Sequence, residues 1–160
     1  MKKWIKKILE YIRSYFLRDI PDRYDFSLLA RQCEVNSILL AKQHVHRIKQ
    51  LTTIDSLHDV EFKVFSQWGE DGIIQYIIHI VDIKNPVFIE FGVENYLESN
   101  TKFLLMNDNW KGLVLDSSEN HIRYIQNESI YWQHDLTAKC AFITKDTINS
   151  LILKSGFHLL

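Results

Sequence analysis

Residues 86–95, PVFIEFGVEN, decide the fold. Pro86 opens a run in which Val87, Phe88, Ile89 and Phe91 are apolar, and Gly92 closes it. A near-continuous apolar run of strand length is a strand buried on both faces, and such strands belong to parallel sheets. In an open parallel sheet, ligands bind beyond the carboxyl ends of the strands. Glu90, Gly92 and Glu94 occupy that position here, so they are the first candidates for a binding site. Gly92 lets the chain turn tightly and approach a ligand closely.

The flanking segments fit the same architecture. Upstream, FSQWGEDGIIQYIIHIV, residues 65–81, gives a polar turn from Ser66 to Asp71 and then a helix with Ile73, Ile74, Ile77, Ile78 and Val81 on its apolar stripe. Downstream, Ser99 or Asn100 is the expected N-cap of a helix carrying Phe103, Leu104 and Met106. Gly112 to Asp116 reads as a second strand, Glu119 to Asn127 as a helix, and Ile130 to His134 as a third strand ending at Asp135. Thr144 is expected to cap a helix through Ser155, which Gly156 terminates. Strands alternating with helices at this pace predict an α/β fold with a Rossmann-like, doubly wound parallel sheet. The sheet is expected to be incomplete, with about three to four strands.

Residues 1–60 form an N-terminal helical extension in this reading, and residues 61–160 a partial cofactor-binding domain. The extension opens with Trp4, Ile5, Ile8, Leu9, Ile12, Tyr15 and Phe16 at helical spacing, opposite Lys2, Lys3, Lys6 and Lys7. Such a basic amphipathic helix over residues 1–20 suits either packing on the domain or a second subunit, or peripheral contact with an anionic membrane face. A second helix over residues 26–50 is expected to bury Leu28, Leu29, Val35, Ile38, Leu39, Val45 and Ile48. Its His44 and His46 lie two apart, do not share a helix face, and so do not form a metal site.

Composition narrows the function classes. The chain has 160 residues, a formal net charge of −1 and two cysteines, Cys33 and Cys140, far apart. That spacing suggests neither a disulfide framework nor structural zinc, and it fits a reducing, cytoplasmic setting. Outside the basic first segment the chain is acidic and lacks a basic stripe, which argues against nucleic acid as a partner. No run approaches the ~18 consecutive apolar residues of a membrane span.

Asp116 follows Gly92 at close to the spacing of about 20 residues at which a carboxylate accepts the ribose hydroxyls of a nucleotide. The loop does not read Gly-x-Gly-x-x-Gly, so phosphate cradling is not expected. Glu90 and Glu94 would repel a pyrophosphate, but they suit a cofactor bearing a cationic sulfonium and an amino group.

The segments FSQWGED, FIEFGVENYLESNT, NWKGLVLD and YWQHDLTA, in this order and spacing, resemble the opening of bacterial S-adenosylmethionine-dependent methyltransferases of the FkbM-like kind, a group associated with surface-polysaccharide biosynthesis. The matching stretch covers roughly residues 65–145. The resemblance implies that Glu90, Gly92 and Glu94 line the methionine side of S-adenosylmethionine, that Asp116 holds the ribose, and that Asp135 lies near the adenine. It implies that Ser66 and Gln67 close over the pocket, and that the acceptor is a glycan or a small molecule. Tyr96, His134 and Asp135 are candidates for a general base by position alone, and no catalytic residue is assigned. Domains of this kind continue into a further strand ending in an acidic segment, so the chain is expected to be C-terminally truncated, with an open sheet edge that a partner or second copy covers. The competing expectation is a non-catalytic docking module that uses the N-terminal helix.

Overall fold

A computed structural model describes residues 23–157 together with Trp4, Lys6, Lys7, Ile8 and Tyr11, and it divides the chain into two compact units, Met1–Asn36 and Ser37–Leu160. The amphipathic helix expected over residues 1–20 falls largely outside the described residues. Trp4, Lys6, Lys7, Ile8 and Tyr11 are themselves helical.

The second unit is mixed α/β, built on a three-stranded, all-parallel open sheet in the order β1-β2-β3. Helix α1 spans Arg23–Ile48, and a short 3-10 turn, Leu57–Val60, follows it. Helix α2 is Glu70–Ile80, strand β1 Val87–Phe91, helix α3 Lys102–Asp108 and strand β2 Lys111–Asp116. Helices α4, Glu119–Asn127, and α5, Ser129–Gln133, lead to strand β3, Leu136–Cys140, and helix α6 is Ile148–Ser155.

The apolar run read as a doubly buried strand is β1. Alternate residues of the sheet feed two separate cores. Phe88, Val114, Leu136 and Ala138 pack with Leu104 and Leu105 of α3 and Ile122 and Ile125 of α4. The helices of both crossovers therefore cover the same face, as they do when a parallel sheet grows in one direction. Leu113 and Leu115 point the other way, against Phe157, with Val87, Ile89, Ala141 and Ile143 around them. Among the described residues, β1 and β3 each pair only with β2.

Three expectations need correction. Residues 130–134 are not a strand. Most of them lie in α5, and β3 starts at Leu136, where Leu136 and Ala138 alternate inward with period two. Helix α1 buries only its C-terminal half: Ala41, Val45 and Ile48 are buried, with Ala41 and Val45 packed among Phe65 and Phe103, whereas Leu28, Leu29, Val35 and Leu39 are exposed. Apolar residues at helical spacing are buried only where a partner surface meets them. Helix α6 begins at Ile148, later than expected. Thr144 instead makes the preceding turn, its hydroxyl accepting the N–H groups of Asp146 and Thr147. Gly156 does end α6 in the left-handed conformation, with φ of 77°.

Gly112 is fixed by packing. It lies directly opposite Phe88 in the β1–β2 register, and a Cβ there would come within 2.3 Å of the buried Phe88 ring. Gly112→Ala should therefore destabilise the protein by about 1–3 kcal/mol through overpacking. Pairing it with Phe88→Leu should recover part of the loss, as read by urea denaturation. Equal stability of Gly112→Ala and the wild type would show that the ring has room to move.

Candidate functional site

The carboxyl edge of the sheet carries an open cleft of about 340 Å³, lined by Gln67, Glu90, Gly92, Val93, Glu94, Asn95, Leu97, Glu98, Ser99 and Asn100. This is near the lower end of the range of roughly 300–1,000 Å³ that ligand pockets occupy. The loop after β1 forms most of the wall, and the turn before α2 contributes Gln67.

The wall is shaped by side-chain carboxylates that collect backbone N–H groups. Glu90, on β1, accepts from the Ser99 hydroxyl at 2.6 Å, the Thr101 hydroxyl at 2.5 Å, and the N–H groups of Asn100 at 3.1 Å and Thr101 at 3.2 Å. The start of α3 is thus capped from a strand, and neither Ser99 nor Asn100 serves as its N-cap; Thr101 holds that position without a side-chain cap bond. The Ser-Asn-Thr segment at residues 99–101 supplies all four donors to Glu90. Three of them fall on Oε2, while Oε1 takes only the Asn100 N–H.

Asp116, at the end of β2, organises the other side of the loop. Its Oδ2 accepts the Glu94 N–H at 2.9 Å, and its Oδ1 accepts the Ser118 N–H at 2.8 Å and meets His121 Nδ1 at 3.2 Å. Gly92, Glu94 and Tyr96 have φ values of 72°, 49° and 61°, so the loop repeatedly enters the left-handed region, and their N–H groups donate to the Leu115 carbonyl, Asp116 and the Val93 carbonyl in turn. Desolvation pushes the Asp116 carboxyl up, but the N–H groups of Ser118 and Glu94, together with the His121 imidazole, outweigh it and hold the pKa below the ordinary value.

A third carboxylate fixes the turn before α2. Asp71 is 1% exposed, and its Oδ2 accepts the N–H groups of Val64, Phe65 and Ser66 at 2.7, 2.8 and 2.9 Å and the Ser66 hydroxyl at 2.9 Å. The turn is joined to the cleft loop by the Ser99 N–H, which donates to the Phe65 carbonyl at 3.0 Å, and by Lys63, whose ammonium reaches the Gln67 carbonyl and Glu98.

The residues singled out from the sequence therefore divide. Gln67, Glu90, Gly92 and Glu94 meet in the cleft wall. Asp116 lies behind the wall, touching it through Glu94. Ser66 is fully buried, bonded to Asp71 and absent from the wall. Asp135 precedes β3, so it sits at the amino edge of the sheet, where its carboxylate is 3.5 Å from Lys111. The parallel register places Leu136 beside Gly112 and Cys140 beside Asp116, a strand length away from Asp135. Tyr96 is 2% exposed, its hydroxyl is paired with Thr101, and burial pushes its phenol well above the ordinary value. A buried phenol with a raised pKa is a poor base. His134 follows α5 and is not part of the wall.

Asn95, Leu97, Glu98 and His121 are site residues beyond those expected from the sequence, and Ser99 and Asn100 were expected only as N-caps. The quoted Ser-Asn-Thr segment was the available signal for Ser99 and Asn100. Among the described residues, no group of three or more His, Cys, Asp or Glu side chains is placed to hold a metal ion, and no helix is long and apolar enough to cross a membrane. The chain matches no protein-family model, no curated protein and no solved structure.

The lowered pKa of Asp116 has a definite pH signature. A carboxyl whose folded pKa lies below the unfolded value of about 3.9 stabilises the fold above that pH, and the contribution disappears as pH falls through the folded value. Asp116→Asn should cost about 1–3 kcal/mol near neutral pH through the bonds it disturbs. The gap between variant and wild type should narrow in urea unfolding curves taken below pH ~4. A gap independent of pH would assign the loss to packing alone.

Proposed function

We propose that the cleft binds S-adenosylmethionine and that the chain is a Rossmann-like methyltransferase-family protein acting on a glycan or small-molecule acceptor. One observation carries this reading: the cleft at the carboxyl edge of a parallel sheet presents Glu90, Glu94 and Glu98, and among the described residues no lysine, arginine or histidine lines it, Lys63 meeting it only through Glu98 and the Gln67 carbonyl. That charge pattern opposes a phosphate and favours a ligand with a sulfonium and an ammonium. The amides of Gln67, Asn95 and Asn100 add neutral hydrogen-bonding groups. The resemblance of residues 65–145 to FkbM-like enzymes supports the same cofactor.

The chain's own groups have distinct tasks in this reading. Glu90 is held by four donors, so its position is set before a ligand arrives; its Oε1, with a single donor, keeps acceptor capacity for an ammonium. Glu94 adds a second carboxylate to the cleft wall, while the Glu98 carboxylate is shared with the Lys63 ammonium at 3.4 Å. The cofactor supplies an electrophilic methyl group, transferred as a carbon–sulfur bond breaks and a neutral thioether leaves. Acidic groups near the sulfonium favour the charged ground state, so their contribution is to affinity more than to rate.

Calorimetric titration of the full chain tests the reading. S-adenosylmethionine should bind saturably at one site, and ATP and NAD should give no heat. Glu90→Gln should weaken binding about tenfold, the value of one charge-assisted hydrogen bond. A folded chain that binds ATP as well as S-adenosylmethionine, or that binds neither, would overturn it.

A further inference from the structure

Asp116, at the end of β2, is already occupied. A carboxylate offers about four lone-pair sites. Three are taken, one on Oδ2 by the Glu94 N–H and two on Oδ1 by the Ser118 N–H and His121 Nδ1. A ribose diol that binds a carboxylate through both hydroxyls needs two sites, and only one is open. The donors are not equally replaceable. Glu94 and Ser118 bond through their backbone, Ser118 being the N-cap of α4 as well, so neither can leave without remaking the loop or the helix start. His121 bonds through its side chain at 3.2 Å, the longest of the three contacts, and that side chain is 42% exposed.

We infer that His121 is a displaceable stand-in for a ribose hydroxyl: it holds Asp116 in the free protein and swings out when a nucleoside diol binds. This rests on the nucleoside-containing cofactor proposed above and adds a positioning residue that the cleft wall does not contain. His121 gives the buried carboxylate a third donor between ligands, beside the Glu94 and Ser118 N–H groups. The cost is competition with the ligand. His121 therefore limits affinity for the nucleoside part without touching the methionine part.

The test uses the full chain and S-adenosylhomocysteine, with adenosine as a second probe that carries the diol and no charged tail. Calorimetry should show His121→Ala binding both probes about fivefold more tightly than the wild type, the value of one partly exposed hydrogen bond removed from competition. 2′,3′-Dideoxyadenosine, which lacks the diol, should show no such gain. Imidazole nitrogen shifts followed by NMR in the wild-type protein should move from an Asp-bonded to a solvent-exposed signature as S-adenosylhomocysteine is added. Binding by the wild type with an unchanged His121 signal, or equal or weaker binding by His121→Ala, would overturn this inference and leave the cofactor reading standing. Absence of binding by both folded proteins overturns the cofactor reading and this inference with it.

Discussion

The structure around the cleft depends on a buried carboxylate, Asp71, which gathers three successive backbone N–H groups and a hydroxyl onto one oxygen. A carboxyl side chain that is 1% exposed is accommodated because these donors replace water on Oδ2, while Oδ1 has no hydrogen-bond partner among the described residues. The turn it fixes then serves as a template. Phe65 lends its carbonyl to Ser99, Ser99 lends its hydroxyl to Glu90, and Glu90 holds the start of α3. Helix α2, strand β1 and helix α3 are thus linked through polar bonds as well as through the apolar packing of Phe88, Leu104 and Leu105.

The same device recurs at the end of β2, where Asp116 joins the loop after β1 to the start of α4. Three acids that could be taken for ligand contacts when read as isolated letters are therefore also the fasteners of the loops that would surround a ligand. The two roles are compatible where lone pairs remain, as on Glu90 Oε1, and in conflict where they are used up, as on Asp116 Oδ1.

Much of the fold was legible in the sequence because its signals are local. The apolar run from Val87, the strand before Asp116 and the helix over Glu119 to Asn127 are each signalled within their own segment, and the structure has an element at each. The third strand was misplaced because Ile130, Tyr131 and Trp132 have strand-like side chains but sit one short helix before the alternating Leu136-Thr137-Ala138. The burial of α1 was overstated because spacing reports which face is apolar and not whether another surface meets it. At the site, chain order placed Glu90, Gly92 and Glu94 together because they share one loop. It could not show that Ser66 turns inward to Asp71, nor that Asp135 precedes a strand, since both depend on contacts or register set by other segments.

The left-handed residues of the cleft loop have a further meaning. Glu94 and Tyr96 are not glycine, and each such position costs roughly 1–2 kcal/mol in an L-amino acid. Bonds to Asp116 and Thr101, together with burial of the Tyr96 ring, offset that cost. The loop is thus held at two points, and breaking either bond leaves the cost of a left-handed residue uncompensated.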